Sequence, residues 1–258
     1  DWTMQKVNSE FPAGWEYFWN SAGSVDGTPE VSVAPNTLTG YSFDVRSGGN
    51  GDDRLWNIGG GGTNGILSQD GTPHPGAILT SQIRVDGNEY VQYHNDGHFN
   101  NGHGNAQGFR NSEDPSLPGM NQNDNFATAF VGEIVIPANN GDANTPYNVE
   151  FGTNRADDPV AIYVDFNQDG IFEAPGGGSQ GNGPGPHERI IARGCCGGQH
   201  RQISIAPGTY MYAAVQLERG GGSQIEPTIN LFDKWDEYQQ PNNQRRILQP
   251  GAMGGLFQ

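Results

Sequence analysis

Asp165-Phe-Asn-Gln-Asp-Gly-Ile-Phe-Glu173 places oxygen-bearing side chains at alternate positions, Asp165, Asn167 and Asp169, ahead of a glycine. Calcium takes roughly six to eight oxygen ligands; a run of this kind supplies three, and Gly170 permits the sharp turn that wraps an ion. Glu173 follows as a further carboxylate. The closing bidentate acid of an EF-hand is missing, because with Asp165 as position one, position twelve is Gly176. A calcium ion here therefore needs Glu173, a backbone carbonyl, water, or the upstream pair Asp157-Asp158. Asp157, Asp158, Asp165, Asn167, Asp169 and Glu173 all fall within residues 157–173, which favours Ca2+ over a metal-free Asx-rich turn.

These residues must be held by rigid elements. Between the two acidic groups runs Val160-Ala-Ile-Tyr-Val164, short, apolar and β-branched, which reads as a buried strand. Further strands are predicted at 41–45, 77–85, 89–93, 127–136, 147–151, 188–192, 202–205, 210–217 and 228–232. Turn signals separate them, and no segment sustains a long helical period, so the fold class is all-β: an antiparallel β-sandwich or jelly roll. The chain is rich in turn formers, with 40 Gly and 17 Pro among 258 residues. Its core relies on aromatic side chains, because hydrophobic residues make up 33% of it. Residues 1–238 are read as one domain with large Gly/Asn-rich loop insertions at about 47–65 and 95–125, and 239–258 as an extended C-terminal tail.

The formal net charge is −16, and Lys6 and Lys234 are the only lysines. That balance disfavours nucleic acid and suits divalent cations. No apolar run approaches the roughly 20 residues that cross a membrane. The first residue, Asp1, fits removal of a secretory signal and fits trimming of the chain equally. Cys195 and Cys196 are adjacent, so a disulfide between them is vicinal and strained, with Gly194, Gly197 and Gly198 easing the turn; free thiols are the alternative. His94, His98 and His103 could gather around a transition metal, although the Gly/Asn-rich spacing reads better as a solvated loop. Trp56 and Trp235 are the candidate sugar-stacking faces, each set against ordinary core packing. His-Glu-x-x-His and a phosphate loop are both absent, and no catalytic residue is assigned.

From Asp124 to Phe232 the order of motifs resembles the protective-antigen domain family, the PA/GLEYA-like β-sandwich lectins. The resemblance is carried by Asn125-Phe-Ala-Thr-Ala-Phe-Val-Gly-Glu-Ile-Val-Ile-Pro137, Tyr147-Asn-Val-Glu-Phe-Gly152, Asp157-Asp158, Ile162-Tyr-Val-Asp165, Ala206-Pro-Gly-Thr-Tyr210 and Val215-Gln-Leu-Glu218. Gly14-Trp-Glu-Tyr-Phe-Trp19 is a weaker counterpart of the family's opening strand. The resemblance implies that Asp157 and Asp158, joined by a cis peptide, hold a Ca2+ whose open positions take sugar hydroxyls. The lectin pattern does not require the 165–173 loop, so that loop and Asp157-Asp158 serve either one ion or two. The expected function is a secreted, calcium-dependent carbohydrate-binding module with glycans as partners. An adhesive or structural subunit that binds copies of itself is the alternative, and a polysaccharide-degrading enzyme is the third reading.

Overall fold

The structure, a computed structural model, describes residues 38–45, 65–85, 93–95, 103–104, 106–136, 144–173, 188–193, 197–231, 239–240 and 244–245. All lie in one compact unit within Asn36–Gln258. The strands are β1 (Leu38–Asp44), β2 (Ile78–Val85), β3 (Tyr93–Asn95), β4 (His103–Gly104), β5 (Phe126–Ile136), β6 (Tyr147–Asp157), β7 (Val160–Val164), β8 (Arg189–Arg193), β9 (Gln199–Ile205), β10 (Gly208–Glu218), β11 (Ser223–Leu231), β12 (Gln239–Gln240) and β13 (Gln244–Arg245). Among the described residues one short helix, α1 (Ala106–Asn111), interrupts them.

Two antiparallel sheets face each other. The larger runs β2-β1-β5-β10-β7-β8 and the smaller β4-β3-β11-β6-β9, while β12 and β13 pair separately within the C-terminal tail. Period-two alternation decides which residues meet between the sheets. Tyr210, Tyr212 and Ala214 of β10 join Phe126, Phe130, Ile162, Phe151 and Ile229 in the inter-sheet core. The intervening Ala213, Val215 and Leu217 join Ala127, Ala129, Ala161, Tyr163 and Phe172 in a second apolar cluster on the sheet's other face. β5, β7 and β10 are thus buried on both faces, which is why Val160–Val164 reads as a continuous apolar run.

The predicted strands at 41–45, 77–85, 127–136, 160–164, 188–192, 202–205 and 210–217 fall on β1, β2, β5, β7, β8, β9 and β10. Several strands are longer than expected, β6 and β11 most of all. β6 continues past Phe151 to Asp157, and β11 begins at Ser223 rather than near Thr228. Pro227 obscured the start of β11, since proline cannot donate to a ladder, but the register shifts between Ile225 and Pro227 and the bulge accommodates it.

The described residues of the 95–125 segment include regular elements. They contain β4 and α1, and they deliver Phe109 and Met120 fully buried into the core. Phe109 packs on Phe130 with ring centroids 5.8 Å apart, and its carbonyl accepts a hydrogen bond from the Met120 N–H. Tertiary docking of one aromatic ring has overridden a Gly/Asn-rich composition. The expected strand at 89–93 lies outside the described residues except for Tyr93, and the Gly14–Trp19 segment lies wholly outside them.

Candidate functional site

β7 delivers Asp165 to one end of the larger sheet, where the Asp165 N–H donates to the Met211 carbonyl at 3.0 Å. Two phenylalanines seat the loop that follows. Phe166 packs against the inter-sheet core, and Phe172 joins the outer cluster with its ring centroid 5.9 Å from that of Tyr163. Gln168 takes φ 60 and Gly170 φ 81, so the chain reverses through two left-handed residues. Glycine meets that demand without Cβ strain.

The oxygens of this loop are organised by its own backbone. Asp165, 2% exposed, accepts from the Gln168 N–H at 2.7 Å through Oδ1 and from the Gly170 N–H at 2.9 Å through Oδ2. Asn167 Oδ1 accepts from the Asp169 N–H, and Asp169 Oδ1 from the Ile171 N–H, both at 3.0 Å. Asp169 Oδ2 accepts from Asn167 Nδ2 at 3.0 Å. Each of these oxygens thus accepts a hydrogen bond from within the loop, one of the two that such an oxygen can take. Hard oxygen donors on a preformed loop fit Ca2+. Among the described residues no three His, Cys, Asp or Glu side chains converge as a metal-holding group, so an ion here would be held by Asp165, Asp169, the Asn167 amide, loop carbonyls and water. Glu173 is half-buried at the loop's far end.

Glu188 is the participant that sequence reasoning missed. It is fully buried, and its Oε1 accepts from the N–H groups of Phe166 at 2.7 Å and Asn167 at 3.4 Å. Its Oε2 accepts from the Glu173 N–H at 2.9 Å. Burial pushes its carboxyl up to about 7; the backbone donors from Glu173, Asn167 and Phe166 oppose the rise and the nearby Asp165 carboxylate adds to it. The sequence signal was weak: one acid immediately before the apolar β8, across a Gly/Pro-rich segment from Glu173.

Asp157 and Asp158 lie at the opposite end of β7. Five strand residues at about 3.3 Å each place the two acidic ends roughly 15–20 Å apart. Calcium–oxygen distances are about 2.3–2.6 Å, so one ion does not reach both, and a shared site is ruled out by the length of β7. No peptide bond among the described residues is cis. Asp158 instead adopts φ 65, turning the chain from β6 into β7. Its Oδ2 accepts from the Arg219 N–H at 2.8 Å, and the Asp157 carbonyl accepts from Gln216 Nε2 at 2.8 Å.

Glu218 ends β10 beside this turn, fully buried, and neither carboxylate oxygen has a hydrogen-bond partner. Ser223 is nearby, but its hydroxyl donates to Gln216 Oε1 at 3.1 Å. Burial pushes Glu218 up to about 8, and the Asp158 carboxylate adds to the rise; Ser223 and the Gly220 N–H offset it only partly. Here strand alternation did carry a signal, because Gln216 and Glu218 occupy the same face as Tyr212 and Ala214.

The β3–β4 ladder places His94 directly opposite His103, so backbone register brings two of the three histidines together. His98, Trp56, Trp235, Cys195 and Cys196 lie outside the described residues. Among the described residues no helix is long and apolar enough to cross a membrane.

No protein-family model matches the chain, and no curated protein matches it. Among solved structures, the PA14 domain of the antifreeze protein MpAFP is similar over 88% of this chain and 94% of that one, at 12% identity and a TM-score of 0.42. The A domain of epithelial adhesin 9 from Candida glabrata, in complex with Galb1-3GlcNAc, is similar over 86% of this chain and 88% of that one, at 12% identity and a TM-score of 0.44. The A domain of epithelial adhesin 6 from the same organism, also in complex with Galb1-3GlcNAc, covers 88% of this chain and 93% of its own, at 12% identity and a TM-score of 0.40. At that identity and those scores, none of the three assigns a ligand to this chain.

Proposed function

We propose that this chain is an extracellular β-sandwich module that binds calcium and carbohydrate through two separate acidic centres. The observation that carries the calcium reading is the alternate placing of the Asp165, Asn167 and Asp169 side-chain oxygens in a loop already folded by its own backbone. An ion there stabilises the fold by binding the folded state alone. The carbohydrate reading belongs to the Asp157-Asp158 turn. It is supported by the resemblance of that pair and its flanking strands to the protective-antigen domain lectins, in which such a pair presents Ca2+ to sugar hydroxyls. Trp56 and Trp235 are the proposed stacking faces, and no catalytic role is assigned.

The near-complete burial of Asp165 and Glu188 favours a second reading, in which calcium only rigidifies an adhesive or structural subunit that binds copies of itself. Calorimetric titration with Ca2+, followed by a glycan array with and without chelator, separates the two. Calcium binding with chelator-sensitive glycan binding is the expected result. Calcium binding without glycan affinity, accompanied by ordered multimers, supports the second reading, and no calcium binding overturns both.

A further inference from the structure

We propose that Glu188 is the positioning residue of the Asp165–Glu173 loop: a buried carboxylate that grips the loop backbone from outside without ligating the ion, and sets how tightly the loop binds Ca2+. The last part rests on the calcium reading above; the grip itself does not. Glu188 lies 15 residues beyond Glu173, outside the span that a calcium-loop motif covers. It nevertheless joins the two ends of the loop. Its side chain takes the N–H groups of Phe166 and Asn167 at the entry and of Glu173 at the exit. Its main chain repeats the pattern, donating to the Glu173 carbonyl at 2.7 Å and accepting from the Val164 N–H at 3.1 Å.

Three donors on two oxygens fill most of a carboxylate's roughly four acceptor positions, so little capacity remains for an ion. In the ionised form the charge is used on backbone dipoles instead. Because Glu188 is fully buried, water does not compete for those N–H groups, and hydrogen bonds to a charged acceptor are about twice as strong as neutral ones. A loop ordered in advance loses less conformational freedom when it binds, so its affinity depends on the residue that orders it.

Amide hydrogen exchange on the wild-type chain in chelator tests the grip without any variant. The N–H groups of Phe166, Asn167 and Glu173 are expected to exchange at least about tenfold more slowly than unbonded loop amides, because hydrogen bonds to charged groups are the stronger kind. Unprotected amides at these positions overturn the proposal. Glu188→Gln keeps the size and turns an acceptor into a donor facing an N–H; it is expected to speed exchange at the same amides about tenfold while the centre of β5 stays protected. In a Ca2+ titration the same variant is expected to raise Kd about tenfold. Equal exchange in both proteins overturns the grip, and equal Kd overturns its link to affinity. A wild-type chain that binds no Ca2+ but shows the protected amides upholds the grip and removes the calcium reading. Should Glu188→Gln fail to fold, the wild-type exchange pattern decides.

Discussion

The two ends of β7 carry similar acids under opposite conditions. At one end, buried Asp165 and Glu188 accept hydrogen bonds from the N–H groups of Gln168, Gly170, Phe166, Asn167 and Glu173. At the other, Glu218 is equally buried and its carboxylate has no partner. Both glutamates are pushed above the ordinary carboxylate range, Glu188 to about 7 and Glu218 to about 8. Burial is the main cause at both. At Glu218 the Asp158 carboxylate adds to the rise, and Ser223 and the Gly220 N–H offset it partly. At Glu188 three backbone donors oppose the rise and tie the same charge to loop order.

Removing the donors' acceptor should break this contrast most severely. Asp165→Ala or Glu188→Ala strands buried N–H groups in the loop and should cost about 3–5 kcal/mol by urea unfolding, whereas Glu218→Ala strands none. Glu218→Gln should act in the opposite direction, stabilising by roughly 1–3 kcal/mol at pH 8 or above by removing an unpaired buried charge. The sign follows from linkage: the folded carboxyl at about 8 lies above its ordinary value of 4.5, so folding takes up a proton between those values. The associated stability is complete below about 4.5 and is lost as pH rises through about 8. Wild-type urea midpoints in chelator should thus fall from pH 5 to pH 8, and Glu218→Gln should flatten that slope. Gly170→Ala, which forces a Cβ onto φ 81, should cost about 1–2 kcal/mol. Asp158→Asn keeps an acceptor for the Arg219 N–H and should change stability by less than about 0.5 kcal/mol, while abolishing chelator-sensitive glycan retention on the array.

What the sequence showed and what it hid follow the same division. Val160–Val164 was legible because a strand buried on both faces needs an unbroken apolar run. The Asp165 loop was legible because the hydrogen bonds accepted by its Asp165, Asn167 and Asp169 side chains are local, spanning at most five residues. Glu188 was not, because its partners are brought to it by the pairing of β7 with β8, and no local pattern records a backbone N–H awaiting a distant carboxylate. Whether Asp157-Asp158 and Asp165 share an ion was not legible, because sequence proximity across a strand is spatial separation along it. α1 was hidden because Phe109 earns its place through Phe130 rather than through helix propensity.

A Ca2+ titration followed residue by residue through backbone amide resonances tests the central claim most directly. The amides of Gln168, Gly170 and Ile171, which already point at the proposed ligand oxygens, should shift saturably with added Ca2+ and return with chelator, independently of any change at Asp157 and Asp158. Unmoved resonances in residues 165–173 at saturating Ca2+ would contradict it.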